Sequence, residues 1–333
     1  MKYFCLPQPG GSLILRERET PEPGPGQVLV RMRGWSVNFR DLMIAKGWYP
    51  KAVKADVVAL SDGAGEVVRV GADVTRWSPG DRVAGTYFPR WVSGPGTPDK
   101  TADDLGGAVD GVLAEYVVFA EHAVVAVPAH LDFAEAATLP SAGVTAWRAV
   151  VEEGGLAPGQ SVLTLGSGGV STFAVQFAAL GGARIIATSR SDEKLERLKM
   201  LGATDVVNYV ATPEWGAAAA ALTAGGVDHV VDVGGGGTLG QSVSAARMGG
   251  HISVVGVLSQ GSGADPLMVL AKQLTLRGLT NASRETFERM NRAIAHHGLR
   301  PVIDKRFGFD EVDAAYRYLE SGAHVGKVVL DAG

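Results

Sequence analysis

A glycine-rich turn between two apolar segments carries the clearest chemical signal in the sequence. Residues 161–165 (SVLTL) are typical of a buried strand, and residues 171–180 (STFAVQFAAL) of the helix that follows it. Glycines at the first and third positions of the turn permit a tight bend and let the backbone approach phosphate oxygens at a helix start. We therefore expect the turn to bind the pyrophosphate of a dinucleotide through Gly166, Gly168, Gly169 and Val170, although a turn without a ligand has a similar composition.

Ser171 stands where the usual G-x-G-x-x-G pattern has its third glycine. Serine is small and still permits close packing of the helix against the strand, so this departure weakens the pattern only slightly. A second strand-and-helix unit follows, and such a loop binds a dinucleotide in that context.

The end of the next predicted strand, residues 184–188 (RIIAT), bears on which dinucleotide is bound. Enzymes that use NAD place an acidic residue about 20 residues after the glycine loop, where it accepts a hydrogen bond from the ribose 2′-hydroxyl. This chain has Ser189 and Arg190 there, a hydroxyl and a guanidinium that suit a 2′-phosphate. We expect NADP(H) as the cofactor; the alternative is that Arg190 is a solvated residue on a surface turn.

The composition of the 333-residue chain excludes several classes of protein. Hydrophobic residues make up 46% and charged residues 20%, which excludes a disordered chain. The formal net charge is −4 and no basic block occurs, so we expect no nucleic-acid partner. Cys5 is the only cysteine, which rules out an intrachain disulfide and a cysteine-rich metal site. No apolar run reaches the roughly 18 residues of a membrane span and no secretory signal is recognisable, so we expect no membrane partner and a cytoplasmic protein.

The first part of the chain, up to residue 131, has the texture of a mostly antiparallel, barrel-like region. Short predicted strands alternate with turns rich in Pro and Gly, at residues 27–33, 66–70 and 114–119. Residues 89–111 are polar and Gly-rich, and we expect a long loop there.

From Asp132 onward, strands alternate with helices. Asp132 and Glu135 have the spacing of a capping box at a helix start. The apolar strands after it imply a parallel sheet covered by helices on both faces; they lie at residues 161–165, 184–188, 205–207, 229–233 and 251–255. A helix is expected at 192–201, and the tail adds helices at 284–297 and 310–321 and a strand at 327–330.

The predicted fold class is therefore α/β with two domains. A mostly-β domain would comprise residues 1–131 and 282–333, because the tail strand resembles the strands of the first part. A doubly wound, cofactor-binding domain would comprise residues 132–281.

Six segments occur in the order used by the medium-chain dehydrogenase/reductase superfamily, and the sequence resembles that superfamily over nearly its whole length. The segments are VNFRDLMIAKGWYP (37–50), GAGEVVRVGADVTRWSPGDRV (63–83), LPSAGVTAW (139–147), LGSGGVS (165–171), LGATDVVNY (201–209) and GKVVL (326–330). The resemblance implies a GroES-like catalytic domain with an inserted Rossmann domain, and an active site in the cleft between them. It also implies a homodimer or tetramer paired through Rossmann-domain edges.

The zinc-binding branch of this superfamily has Cys where this chain has Asn38, and His-Glu where it has Ser61-Asp62. Its other metal ligands are also missing here, so we expect no zinc and no other metal. The chain is more similar to quinone oxidoreductases and enoyl reductases, in which Asn, an acidic residue and Gly-x-Tyr recur. The matching residues are Asn38, Asp41 and Gly47-Trp48-Tyr49.

The same resemblance suggests catalytic roles for two residues. It makes Tyr49 a proton donor and Asn38 part of the nicotinamide site; the alternative is that Tyr49 packs with Trp48 as an exposed aromatic lip. For the 2′-phosphate it adds Lys194 and Tyr209, 15 residues apart as in NADPH-dependent relatives. Other cofactor contacts that it suggests are Thr145, Val233, Val255, Gly256, Val257, Arg284 and Lys327.

These features lead to one principal hypothesis and two alternatives. The principal one is an NADPH-dependent, zinc-independent oxidoreductase that transfers hydride to a quinone or to a double bond activated by a carbonyl group. The first alternative is a zinc-free, NADP-dependent alcohol dehydrogenase or carbonyl reductase. The second is a non-catalytic NADPH-binding protein, such as a redox sensor or a structural protein. For the enzymes, the expected partner is a small quinone, enone or carbonyl compound.

Overall fold

Two compact units make up the computed structural model, which describes residues 1–256 and 258–332. One unit consists of Met1–Val144 and Ala282–Gly333, and the other of Thr145–Asn281. Within the described residues, no helix has both the length and the apolar character needed to cross a membrane.

The strands are numbered in chain order. They are β1 (Lys2–Leu6), β2 (Ile14–Glu17), β3 (Gln27–Val37), β4 (Val57–Val58), β5 (Asp62–Val70), β6 (Arg82–Gly85), β7 (Tyr116–Ala120), β8 (Val124–Ala126), β9 (Ser161–Leu165), β10 (Arg184–Ser189), β11 (Asp205–Asn208), β12 (Val227–Asp232), β13 (Ala246–Val254), β14 (Thr275–Gly278), β15 (Ile303–Gly308) and β16 (Lys327–Asp331).

The helices follow the same numbering. They are α1 (Phe39–Ala45), α2 (Phe133–Ala136), α3 (Val144–Trp147), α4 (Gly169–Leu180), α5 (Asp192–Met200), α6 (Trp215–Ala221), α7 (Leu239–Ala245), α8 (Pro266–Ala271), α9 (Arg284–His297) and α10 (Val312–Glu320). Wider π-type turns flank α3, at Leu139–Gly143 and Arg148–Glu152.

The first unit is built around the long strand β3. On one side β3 pairs antiparallel with β5, and on the other with β7 and then β16, so the last strand of the chain closes onto an early one. The order of the main sheet is β15-β16-β3-β5-β6-β8, and β2-β1-β4 form a smaller sheet. Trp35, Val28 and Val328 are fully or almost fully buried in its core. The expected loop at 89–111 is present, because no helix or strand lies between β6 and β7.

The helix α2 belongs to this first unit, whereas the sequence-based boundary placed it in the second. Asp132 and Glu135 do form the expected capping box, with Glu135 N donating to Asp132 Oδ1 (2.7 Å) and Asp132 N to Glu135 Oε2 (2.8 Å). Arg300 binds the Glu135 carboxylate and Arg306 binds that of Asp132, and both arginines come from the C-terminal segment. These long-range ion pairs tie α2 to the first unit, so the units divide between Val144 and Thr145 rather than at residue 132.

The second unit is a six-stranded, fully parallel sheet with the order β11-β10-β9-β12-β13-β14. The strand order reverses between β9 and β12, and ligands bind at such a switch point in open parallel sheets. Leu163, Ile186 and Ile252 are completely buried in its centre, as expected for a sheet covered on both faces. Sequence periodicity located every strand of this sheet except β14, whose four residues are all exposed.

Candidate functional site

The glycine-rich turn joins β9 to α4 in the second unit. Gly166 adopts a left-handed conformation (φ +74°), and its N–H donates to the Thr188 carbonyl at the end of β10 (2.8 Å). Ser171 Oγ donates to the Leu165 carbonyl (2.6 Å), so the residue that replaces the third glycine fastens the helix to the end of its strand. The departure from the usual pattern therefore supports the tight turn.

The start of α4 fits a phosphate group. The helix begins at Gly169, and no side chain caps its N-terminus at Gly168, which leaves the first-turn N–H groups available to an anion. No atom lies within 4 Å of the position where a Cβ on Gly166 would stand, so the backbone is open to a ligand there. These features match the pyrophosphate site of a dinucleotide.

The residues predicted for the 2′-phosphate gather at the carboxyl ends of β10 and β11. Ser189 ends β10 and pairs in register with Asn208, and Tyr209 N donates to the Ser189 carbonyl (3.1 Å). Arg190 follows β10 directly, and Lys194 lies in the first turn of α5. Parallel strands present their carboxyl ends at one edge, so these residues lie on chain segments that meet at the same edge of the sheet.

The chain segments after β12 and β13 also meet at this edge. Val255 N donates to the Asp232 carbonyl (2.8 Å), and a Cβ on Gly256 would lie 1.8 Å from the Val233 carbonyl oxygen. Val233, Val255 and Gly256 are therefore in close contact, whereas Val257 lies outside the described residues. Thr145, the first residue of the second unit, is buried.

Asp232 organises the loop after β12, a role that the sequence analysis missed. Its Oδ1 accepts hydrogen bonds from Gly234 N and Gly235 N (both 2.9 Å) and from Thr238 Oγ1 (2.6 Å), and its Oδ2 accepts one from Ser242 Oγ (2.7 Å). An acidic residue that ends an apolar strand before four glycines was the available signal. The fully buried carboxylate fixes the backbone beneath the expected nicotinamide site.

In the first unit, Asn38 and Lys327 form a direct contact at the start of α1. Lys327 is the first residue of β16, and its Nζ donates to Asn38 Oδ1 (2.5 Å) and to the Val37 carbonyl (3.0 Å). The Asp62 carboxylate accepts hydrogen bonds from Ser61 Oγ (2.7 Å) and from Ser141 N (3.0 Å). Asn38, which contacts the Lys327 ammonium, and Asp62, which interacts with its charge, both stand where the resemblance places zinc ligands in the zinc branch.

Burial changes the protonation of this cluster. It lowers the pKa of the Lys327 ammonium, although Asp62 and Asp41 oppose this shift. Burial also raises the pKa of the Asp62 carboxyl, opposed by the charge of Lys327. Asp41 has its pKa raised to about 6, mainly because the carboxyl is desolvated, while the guanidinium of Arg40 acts in the opposite direction. Desolvation thus raises the pKa of both Asp41 and Asp62.

Tyr49 belongs to a second polar group that is linked to the first through Arg40. Tyr49 Oη donates to Asp104 Oδ2 (3.1 Å), and Arg40 forms ion pairs with both Asp104 and Asp41. The Arg40 guanidinium also lies 5.1 Å from the ring centroids of Tyr49 and Tyr87. Tyr49 is half-buried, whereas Trp48 is exposed, so the two do not share one environment.

Arg40 and Asp104 were not identified from the sequence. Asp104 lies in the long loop, 64 residues from Arg40, and no local pattern connects them. A charged residue directly before the apolar run Val328–Leu330 was the signal for the buried Lys327.

Arg284 lies away from the Asn38–Lys327 contact. Its Nη1 donates to the His122 carbonyl (3.3 Å), and its Nε is 3.3 Å from Glu288 Oε1. The two basic residues that the resemblance assigned to the cofactor therefore have different surroundings in the first unit.

Replacing Gly256 by Ala would test the close approach of the two strand ends. The new methyl carbon would lie 1.8 Å from the Val233 carbonyl oxygen. Relieving this clash requires the chain segments after β12 and β13 to move apart. Overpacking of this kind costs about 1–3 kcal/mol, so we expect a lower Tm and weaker dinucleotide binding. Thermal unfolding with and without dinucleotide measures both effects.

The matched control is Gly240→Ala on α7. The nearest atom to its new methyl carbon, the Gly263 carbonyl oxygen, is 3.4 Å away, and alanine favours a helix. We expect this variant to keep the Tm and the dinucleotide affinity of the unaltered protein. A Gly256→Ala protein as stable as the control would contradict the described packing.

Comparison with known proteins identifies the family of both units. The model of the alcohol dehydrogenase GroES-like domain matches residues 24–129, and the model named zinc-binding dehydrogenase matches residues 169–296. The chain is 44% identical over 324 residues to a zinc-type alcohol dehydrogenase-like protein of Schizosaccharomyces pombe, covering 94% of this chain and 93% of that protein. It is 30% identical to a chloroplastic quinone oxidoreductase of Triphysaria versicolor, with 97% and 95% covered.

A solved structure agrees with this assignment. A Sinorhizobium meliloti 1021 protein with a proposed alcohol dehydrogenase activity is 41% identical and superposes with a TM-score of 0.93, covering 99% of this chain and 98% of that one. The chain therefore belongs to the medium-chain dehydrogenase/reductase superfamily of oxidoreductases, with a GroES-like domain and a Rossmann-type domain of the kind that binds a nicotinamide cofactor.

Proposed function

We propose that this protein is an NADPH-dependent, zinc-independent reductase of quinones or of double bonds conjugated to a carbonyl group. The observation that carries the proposal is the donor set at the positions where the zinc branch has ligands. Asn38 Oδ1 accepts a hydrogen bond from the Lys327 ammonium (2.5 Å), so a cation already binds the oxygen that would have to coordinate zinc. A zinc ion on the same oxygen would be repelled by the ammonium.

The other residues at these positions also fit zinc poorly. Zinc in proteins is held by Cys, His and carboxylate ligands, usually four in a tetrahedron. Asn38 offers a neutral amide, and the Ser61 hydroxyl donates a hydrogen bond to Asp62 Oδ1 (2.7 Å). The family model and the Schizosaccharomyces pombe relative carry zinc in their names, and our proposal departs from them on this point.

The donor set also favours one class of substrate. Taking a hydride from an alcohol requires an alkoxide, which a metal ion stabilises in zinc enzymes. Reduction of an enone or a quinone instead develops negative charge on a carbonyl oxygen, which fixed hydrogen-bond donors can stabilise. The first unit offers such donors in Asn38 and Tyr49, close to the cations Lys327 and Arg40. The relative named quinone oxidoreductase supports this choice.

The preference for NADPH rests on the group formed by Ser189, Arg190, Lys194 and Tyr209. Two cationic side chains and two hydroxyls at the ends of β10 and β11 suit the dianionic 2′-phosphate. The nearby carboxylate of Asp192 accepts a hydrogen bond from Asn208 Nδ2 (2.7 Å), which ties α5 to the end of β11.

In this proposal Tyr49 donates the proton that completes reduction of an enone. Bound to the Rossmann-type domain, a reduced nicotinamide would supply the hydride that converts the enone, at its β-carbon, into an enolate. The Tyr49 hydroxyl then transfers its proton to the α-carbon, and the O–H bond breaks as the C–H bond forms. The remaining phenolate lies beside the Arg40 guanidinium (5.1 Å from the ring centroid) and is reprotonated from solvent. A quinone needs no such donor, because its oxygens can take protons from water.

We also infer that the protein is a homodimer. The helix α8 exposes most of its apolar side chains, with Leu267 70% and Leu270 73% exposed, and β14 is the edge strand of the parallel sheet. An apolar helix beside an open strand edge is suited to pairing with a second copy of the same surface.

The proposed reaction is tested by NADPH oxidation against a panel of enones and quinones, in protein treated with a chelator. We expect turnover with at least one class and retention of activity after chelation. Oxidation of simple alcohols with NADP⁺ in the absence of turnover on the panel would favour the alcohol dehydrogenase alternative. Tight NADPH binding without any turnover would favour a non-catalytic role.

The role of Tyr49 is tested with Tyr49→Phe, and Tyr318→Phe serves as the control. Both tyrosines are half-buried, and each donates a hydrogen bond to an aspartate beside a cation, but Tyr318 binds Asp304 rather than Asp104. Loss of a general acid lowers kcat by about 100-fold or more, and we expect this for Tyr49→Phe with enones. Its affinity for NADPH and its kcat with quinones should hold. An unchanged kcat with enones would remove Tyr49 from the mechanism.

Cofactor selectivity is tested with Arg190→Ala. Losing a charged hydrogen bond costs about 1.5–3 kcal/mol, so the Kd for NADPH should rise roughly 10- to 150-fold while that for NADH stays constant. Arg184→Ala is the control, because Arg184 lies at the opposite end of β10 and pairs with Asp205 (2.9 Å). Equal affinities of the unaltered protein for NADPH and NADH would contradict the proposal that these residues bind the 2′-phosphate.

A further inference from the structure

The strongest unexplained feature is the buried ammonium of Lys327 at the start of strand β16, ahead of three apolar residues. The residue is 4% exposed, and the residues that follow it in β16, Val328, Val329 and Leu330, are completely buried. Removing an ammonium from water is costly unless partners replace the lost hydration. Within the described chain, Lys327 Nζ finds two hydrogen-bond acceptors, the Val37 carbonyl and Asn38 Oδ1. Such a costly arrangement calls for a role at the site.

The ammonium determines which way the Asn38 side chain faces. A lysine ammonium can only donate, so it must face the amide oxygen Oδ1 and not the nitrogen Nδ2. The main chain of Asn38 is held as well, since its N–H donates to Asp41 Oδ2 (2.8 Å). The second polar atom of the amide, Nδ2, is thereby fixed as a donor.

Asn38 Nδ2 is buried and closes no hydrogen bond of normal geometry in the described part of the chain. The acceptor near the amide is the carboxylate of Asp62, whose ionised form the Asn38 side chain favours. A buried donor without an acceptor costs about 1–3 kcal/mol. A ligand oxygen placed there would restore the missing bond.

We propose that Lys327 is a positioning residue whose ammonium holds the Asn38 amide with Nδ2 directed to an oxygen of the substrate. The inference deepens the proposed function and rests on it, because the substrate oxygen is the carbonyl on which negative charge develops. Lys327 thus acts through Asn38 rather than as a ligand of the cofactor. Its positive charge also offsets part of the negative charge of Asp62 and Asp41.

A set of variants tests this arrangement. Lys327→Met removes the ammonium, and Lys327→Arg keeps a donor-only cation. Asn38→Leu removes the amide but keeps the number and branching of the side-chain heavy atoms. We expect Lys327→Met to lower kcat about 10- to 100-fold at saturating NADPH, with the Kd for NADPH within twofold of the unaltered protein. Lys327→Arg should recover part of the lost kcat. Thermal unfolding of every variant identifies those that fail to fold.

The double variant Lys327→Met/Asn38→Leu distinguishes a positioning role from an independent one. If Lys327 acts through Asn38, removing it from the Asn38→Leu protein causes no further loss of kcat. Losses of kcat that multiply would show that Lys327 acts separately. A tenfold or greater rise in the Kd for NADPH with kcat unchanged would make Lys327 a cofactor ligand. Either result overturns the proposal.

A spectroscopic measurement keeps the inference separate from the proposed reaction. In protein labelled with ¹⁵N-asparagine, the side-chain NH₂ resonances of Asn38 are assigned by their absence in Asn38→Leu. We expect them to shift in Lys327→Met and to return towards their original position in Lys327→Arg. Absence of turnover in the unaltered protein would count against the reductase proposal alone. Identical Asn38 resonances with and without the ammonium would refute the positioning role.

Discussion

The hydrogen bonds from the buried Lys327 ammonium join the two ends of the GroES-like domain. Lys327 opens β16, near the end of the chain, whereas Val37 and Asn38 lie where β3 gives way to α1. Pairing of β16 with β3 brings these segments together, since Val328 stands opposite Val37 in the sheet. The whole Rossmann-type domain lies between them in sequence, so this contact requires both parts of the split domain to be folded.

The polar cluster around this contact contains more negative than positive charges. Three buried carboxylates, those of Asp41, Asp62 and Asp104, face two cations, Arg40 and Lys327. Desolvation raises the pKa of Asp41 to about 6, so this residue relieves the excess negative charge as the pH falls. Hydrogen bonds connect Tyr49 to Lys327 through Asp104, Arg40, Asp41 and Asn38. Three buried atoms of the network, Asn38 Nδ2, Arg40 Nε and Asp104 Oδ1, close no hydrogen bond among the described residues.

Unlike this network, the features predicted to bind the cofactor arise from residues that are close together in sequence. The strand, the glycine turn and the helix are contiguous, and every residue of the loop lies within a short stretch of chain. Hydrophobic periodicity therefore located β9 to β13 and the start of α4 to within a few residues. Short strands such as β1, β4 and β14 were missed, since two to five residues carry too little periodicity to be distinguished from loops. The domain boundary was displaced to residue 132 because the capping box of α2 is a local signal, whereas its ion pairs with Arg300 and Arg306 are distant in sequence.

The sequence alone determined the superfamily and the α/β class with a split first domain, and it predicted a glycine-rich loop for the pyrophosphate. It also nominated Asn38, Tyr49 and Lys327 as separate residues without connecting them. Only the tertiary structure decided that Lys327 donates a hydrogen bond to Asn38 and that Tyr49 donates one to Asp104. It also decided that Arg40 links these two pairs through its ion pairs with Asp41 and Asp104. The physical reason is that a buried charge must find its partners wherever the fold brings them, and pairs that lie 55 to 289 residues apart leave no periodic pattern in the chain.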